Sequence, residues 1–118
     1  MNIFDIYIAF VSWGDSGKRR PVLVLEEYED SARVFKITTR YKEKSEAVRA
    51  KYFEINDWQQ AGLQKTSYVD TNTTVTLPLA AIDGSHLVGR LSAADESRLV
   101  EFVGSDETGS EAEDVGTE

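Results

Sequence analysis

The chain has 118 residues, of which 41% are hydrophobic, 10% aromatic and 29% charged, the composition of one globular domain rather than a fibrous or disordered chain. It has no cysteine and a single histidine, His86, which excludes disulfide scaffolds, thiolate zinc sites, cysteine nucleophiles and any mechanism that needs two imidazoles from one chain. The formal net charge of −8 is unevenly spread. Asp106, Glu107, Glu111, Glu113, Asp114 and Glu118 fall in a final stretch without a basic residue, whereas residues 18–65 carry eleven Lys and Arg against eight Asp and Glu. Phosphate binding responds to such a local basic surface, which the whole-chain sum conceals. No stretch approaches the roughly 18 apolar residues needed to span a membrane, and the opening MNIFD lacks the basic and apolar regions of a signal peptide. A cytoplasmic protein with no membrane partner is the expectation.

In chain order, residues 5–11 (DIYIAFV) and 21–25 (PVLVL) are apolar on both alternating faces, as in strands covered on two sides. The intervening SWGDSGKRR, with two glycines, reads as a connecting loop ending in the cations Lys18, Arg19 and Arg20. Residues 33–40 (RVFKITTR) alternate: Phe35 and Ile37 point one way, and Lys36, Thr38 and Arg40 share the other face. Residues 42–51 are a polar loop or helical turn, and 52–55 (YFEI) return to strand character. Asn56 with Gln59 resembles a capping box for a short helix over 57–61, with Gly62 as the left-handed residue that ends it. Residues 67–77 form the longest predicted strand, with Val69, Thr71, Thr73, Val75 and Leu77 on one face. Residues 82–90 give a strand bulged at Gly84, and Ser92 caps a final helix whose stripe is Leu99, Phe102 and Val103 and whose stop is Gly104. The whole predicts a mostly β, small antiparallel barrel (α+β) with a short internal helix and a C-terminal helix, over residues 1–104. Residues 105–118 form an acidic tail with too little apolar surface to order itself, either a solubilising extension or a competitor for the basic face.

Several tempting motifs fail. Gly14-Asp15-Ser16-Gly17-Lys18 lacks the spacing and the Ser/Thr of a phosphate loop, and Asp70 with Asn72 lacks the glycine and terminal glutamate of a calcium loop, so neither a nucleotide nor a metal site is supported and no cofactor is expected. His86 near the bulge reads as a structural or exposed histidine. The constellation that suits phosphate is Arg20 with the Lys36, Thr38, Arg40 face. A guanidinium presents a planar fork to two phosphate oxygens and stays charged, and a stiff threonine hydroxyl can donate to a third. The competing reading is a basic strand face that merely keeps a sheet edge soluble.

Over residues 3–103 the chain resembles the MazF/PemK toxins of bacterial toxin–antitoxin systems. The resemblance is carried by Asp5-Ile6-Tyr7, by Lys18-Arg19-Arg20-Pro21-Val22-Leu23-Val24-Leu25, and by Ile37-Thr38. Ala61-Gly62-Leu63, Leu77-Pro78 and Gly89-Arg90-Leu91-Ser92 complete it. It implies an SH3-like barrel, CcdB/MazF-like, that homodimerises and cuts single-stranded RNA without metal, the 2′-OH attacking the adjacent phosphorus to leave a 2′,3′-cyclic phosphate and a 5′-OH. A cognate antitoxin would silence it. By motif position Arg20 and Thr38 would be the catalytic pair, with Thr39 one residue away on the opposite strand face. Trp13, Asp15, Lys18, Arg19, Lys36, Thr39 and Arg40 would contact RNA. Trp13 would stack on a base or pack onto the barrel or the dimer partner, and Asp15 would stand in for the Glu-Gln pair that many relatives carry in a longer first loop. The rival is a catalytically silent SH3-like module that binds a protein or peptide; a toxin acting on a topoisomerase ranks behind both.

Overall fold

The computed structural model describes residues 1–13 and 15–116, with side chains except those of Trp13, Ser85 and residues 105–116. Six strands are formed: β1 (Asp5–Trp13), β2 (Ser16–Glu27), β3 (Ser31–Thr38), β4 (Tyr52–Glu54), β5 (Tyr68–Pro78) and β6 (Ile82–Arg90). A one-turn helix α1 (Glu46–Arg49) precedes β4, a 3₁₀ turn at Leu79–Ala81 links β5 to β6, and α2 (Ala93–Gly116) closes the chain. All strand pairings are antiparallel, in the order β4-β5-β3-β2-β1-β6.

The mostly β, antiparallel architecture with a small helix and a C-terminal helix is as expected; the sheet is not closed. Its edges are β4 and β6. Three residues of β4 make too short a ladder to zip both sides, and its outer side meets α2, where Arg98 Nη1 donates to the Glu54 carbonyl at 3.4 Å.

Strand alternation divides the apolar residues into two cores, one on each face. Ile6, Leu23, Phe35, Ile37 and Val69 pack with Leu99 of α2, and Phe102 and Val103 flank this cluster. Tyr7, Ala9, Val22, Val24 and Val34 pack on the other face with Leu77 and Ile82. The doubly apolar runs DIYIAFV and PVLVL therefore have a cause: β1 and β2 are covered on both sides.

The expected loop over residues 12–20 is instead a long hairpin. Phe10↔Arg19, Val11↔Lys18, Ser12↔Gly17 and Trp13↔Ser16 extend the ladder, so the three cations stand on a strand. Composition hid this because an exposed hairpin needs no apolar alternation. Gly17 is required there, since a Cβ would lie 2.6 Å from the Phe10 ring.

The long strand over 67–77 does not keep one face. Pairing jumps from Lys36↔Asp70 to Val34↔Val75, so residues 71–74 bulge out. Val69 joins one core and Leu77 the other. The bulge holds the α1 segment: Thr71 N and Oγ1 donate to the Lys51 carbonyl at 2.9 and 2.6 Å, and Asn72 Nδ2 donates to the Val48 carbonyl at 3.2 Å. In β6 the register slips between Leu87 and Ile82, around the expected bulge at Gly84, and again between Gly89 and Leu87.

Residues 57–61 form hydrogen-bonded turns rather than a helix, but their end is as expected. Leu63 N donates to the Trp58 carbonyl and Gly62 N to the Gln59 carbonyl, with Gly62 at φ 90°, the pairing that ends helices on a left-handed residue. Their first N–H groups are capped by Asp95 of α2, whose carboxylate accepts from Asn56 N at 3.3 Å and Asp57 N at 2.8 Å. Ser92 caps α2 as expected, its Oγ accepting from Asp95 N at 3.1 Å while donating to Asp57 at 2.7 Å. The helix runs past Gly104, where the sequence places its stop, to Gly116. A glycine inside a helix costs about 1 kcal/mol but blocks no hydrogen bond.

Candidate functional site

The β2–β3 ladder ends with Val22 across from Lys36, and strand alternation puts Arg20 and Thr38, each two residues beyond that pair, on the same face as it. The row continues on both sides, Arg20 opposite Ala9 of β1 and Thr38 opposite Tyr68 of β5. The next row holds Lys36, Asp70 and Tyr52. Five strands thus bring to one face residues that lie up to 61 positions apart, from Ala9 to Asp70, a placement made by pairing and not by sequence neighbourhood.

A pocket of about 190 Å³ opens on this face. Lys18, Arg19, Arg20, Thr38, Thr39 and Arg40 line it, with Pro21, Ile37 and Ser67 between them. Of the candidate residues it gathers Arg20, Thr38, Lys18, Arg19, Thr39 and Arg40. Lys36 stands one row away beside Asp70, and Asp15 is exposed in the β1–β2 turn. Trp13 ends β1, and its side chain lies outside the described residues. β3 ends at Thr38, so strict alternation stops there, and both Thr38 and Thr39 line the pocket.

Arg20 is half-buried, and its Nε is a buried donor with no hydrogen-bond partner among the described residues. A buried donor without a partner costs about 1–3 kcal/mol, more when charged, so this group is suited to an acceptor brought from outside. Thr38 Oγ1 accepts the Arg40 N–H at 3.0 Å, a short local turn that fixes the hydroxyl and leaves its own proton for another acceptor. Arg19 is bridged to Asp83 at 3.5 Å. Among the described residues, no carboxylate lies within ion-pairing distance of Lys18, Lys36, Arg40 or Lys42.

Three clustered tyrosines missed in the sequence reading lie near the pocket, Tyr68 directly across from Thr38. Tyr41 and Tyr68 are stacked, with centroids 4.4 Å apart at 14°, and Tyr52 lies 6.2 and 6.4 Å from them. Burial first, then the Asp70 and Glu43 charges, pushes the Tyr52 phenol above its usual value of 10.0, with Arg20 pulling the other way. Burial, then the Glu54 charge, raises Tyr68 in the same sense. Both are therefore neutral hydroxyls near pH 7 and can donate hydrogen bonds. No local pattern marked them, because Tyr52 and Tyr68 come from strands distant in sequence from Arg20.

An open antiparallel sheet with a C-terminal helix across one core and a cationic pocket on the other side of the β2–β3 ladder defines a small fold with a cationic face. No family model matches the chain, and no curated protein matches it. Among solved structures it is similar to Mycobacterium tuberculosis toxin MazF-mt6, with 26% sequence identity and a TM-score of 0.66 over 86% of this chain and 93% of that one. The chain has the MazF-like fold. Among the described residues no helix is long and apolar enough to cross a membrane.

Proposed function

We propose that the protein is an endoribonuclease toxin that cleaves single-stranded RNA at the Arg20–Thr38 pocket. The observation that carries this reading is the unpartnered, buried Nε of Arg20 beside an oriented threonine hydroxyl in a cationic pocket. The fold it shares with a toxin supports the same reading.

In the proposed reaction the ribose 2′-oxygen forms a bond to the adjacent phosphorus and loses its proton, and the bond to the 5′-oxygen of the next nucleotide breaks. The products are a 2′,3′-cyclic phosphate and a 5′-hydroxyl that has gained a proton. The Arg20 guanidinium binds the phosphate oxygens and stabilises the added negative charge of the phosphorane; one fixed donor of this kind contributes on the order of 10²–10³ in rate. Its high pKa keeps it protonated and excludes it as the base: the 2′-hydroxyl proton passes to solvent water, and water returns a proton to the leaving 5′-oxygen. Thr38 holds a phosphate oxygen, and Lys18, Arg19, Thr39 and Arg40 receive flanking phosphates. Lys36, Trp13 and Asp15 contact RNA further out. The reaction is proposed to need no metal or other cofactor. The unit that acts is residues 1–104 as a homodimer in the cytoplasm, with residues 105–118 an acidic extension, and a cognate antitoxin silences it by occupying the groove.

The purified protein is incubated with a long single-stranded RNA in excess EDTA, beside Arg20→Ala, and the fragment ends are mapped. Discrete cuts with cyclic phosphate ends, lost in the variant, are expected. No cuts across varied sequences would replace this reading with a binding module, and cuts unaffected by Arg20→Ala would move the chemistry elsewhere.

A further inference from the structure

The RNA reading accounts for phosphates but not for bases, and the tyrosine cluster adjoins the pocket proposed to hold the reacting phosphate. A second cavity of about 470 Å³ adjoins the Arg20–Thr38 pocket and shares Thr39 and Arg40 with it. Tyr41 and Tyr68 line it together with Lys42, Lys65 and one carboxylate, Glu43. Tyr68 is the cross-strand neighbour of Thr38, so the ring stack begins one strand spacing from the proposed reaction centre. A cavity with stacked rings on one wall and cations on its rim has the composition of a single-stranded nucleotide site.

A structural duty for these rings would be to pin the segment that carries α1. That segment is already held by hydrogen bonds from Thr71 and Asn72 and by Ser45 Oγ, which accepts from Val48 N at 3.3 Å. Tyr41 is instead half-buried, lies over Tyr68, and has the Arg49 guanidinium 5.6 Å from its ring centroid. An exposed guanidinium contact is weaker than base stacking on the same ring, so a base can take its place and leave Arg49 beside the backbone.

We propose that the Tyr41–Tyr68 pair is a stacking platform for the unpaired base adjacent to the scissile phosphate, with Arg40, Lys42 and Lys65 receiving the neighbouring phosphate. This rests on the RNA reading of the Arg20–Thr38 pocket. Stacking tolerates any base, so the platform anchors the strand and leaves sequence choice to other contacts.

The test compares the affinity of the full chain for short 2′-O-methyl oligonucleotides of each base, which cannot be cleaved, with its affinity for an abasic oligomer of the same length, all at low salt. Wild type is expected to favour base-bearing oligomers by about tenfold. Tyr41→Ala is expected to lose most of that advantage while keeping its affinity for the abasic oligomer, which also reports that the cationic pocket is intact. Tyr41→Phe is expected to keep the advantage. Equal weakening of both oligomers by Tyr41→Ala, or no change in their ratio, overturns the platform even if the protein cleaves RNA. A base preference that depends on Tyr41 in a protein that cuts nothing would uphold the platform and overturn the chemistry. Failure of every oligomer to bind would overturn both.

Discussion

Two polar regions of the molecule use the same residue types to opposite ends. At the seam between α2 and the turn before β5, Asp57, Ser92, Asp95 and Arg98 form a closed network. Asp95, 1% exposed, accepts from Asn56 N, Asp57 N and Arg98 Nη1, the last at 2.6 Å, and Arg98 stacks over Phe53 at 4.6 Å. At the β2–β3 pocket an arginine is also drawn partly inward, yet its Nε meets no acceptor among the described residues, and of the cations around it Arg19 pairs with Asp83 while Lys18 and Arg40 have no carboxylate within ion-pairing distance. A satisfied network fixes one packing of helix on sheet, whereas an unsatisfied one sacrifices stability to keep donors available. The contrast separates the polar residues that build the fold from those that await a ligand.

The sharpest way to break the seam is steric. The chain crosses itself where Gly62 and Gly89 meet: a Cβ on Gly89 would lie 2.1 Å from the Ala61 carbonyl oxygen, and one on Gly62 2.1 Å from that of Val88. Gly89→Ala is expected to cost several kcal/mol, about 3 or more, and to leave little folded protein by thermal denaturation. In the pocket, Arg20→Ala is expected to lower the cleavage rate by about 10²–10³ while leaving the melting temperature unchanged or higher, because it removes a buried donor that lacks a partner. A large loss of stability in that variant would show the two regions to be alike after all.

Asp95→Ala is expected to cost about 2–3 kcal/mol in urea denaturation, since it strands two backbone donors and the Arg98 guanidinium. Cleavage at saturating RNA should hardly change. Thr38→Val keeps the shape and removes the hydroxyl; a drop of about tenfold in rate with unchanged stability is expected, against the larger drop for Arg20→Ala.

The smallest effect is on pH dependence. Tyr7, Tyr52 and Tyr68 all have phenols raised above 10.0, chiefly by burial. A group whose folded pKa is raised contributes its full stability below the unfolded pKa and loses it as pH rises toward the folded value, so stability should be flat to about pH 10 and fall above it. Phenolate absorbance rising in step with an ordinary tyrosine peptide would contradict this.

Much of the fold is legible locally. The apolar runs of β1 and β2, the Phe35–Ile37 alternation, the Ser92 cap and the Leu99 stripe all mark their elements, because burial and capping impose patterns over a few residues. Hairpin length and the β5 bulge left no such mark. The 12–20 stretch is polar whether looped or paired, and residues 71–74 stay β-branched and polar through the slip in register. The pocket was half legible: Thr38 fell on its strand, Arg20 was read at the end of a loop and stands instead within β2, and the tyrosines beside them did not declare themselves.

By itself the sequence determined which segments must be buried and where the C-terminal helix begins, since hydrophobic period and capping chemistry act between near neighbours. Only the tertiary structure decided that the sheet stays open, that Asp95 caps a turn 38 residues away, and that Arg20, Thr38, Tyr52 and Tyr68 share one face. The physical reason is that cross-strand register and helix docking are set by packing summed over the whole molecule, and no short window of sequence contains that sum.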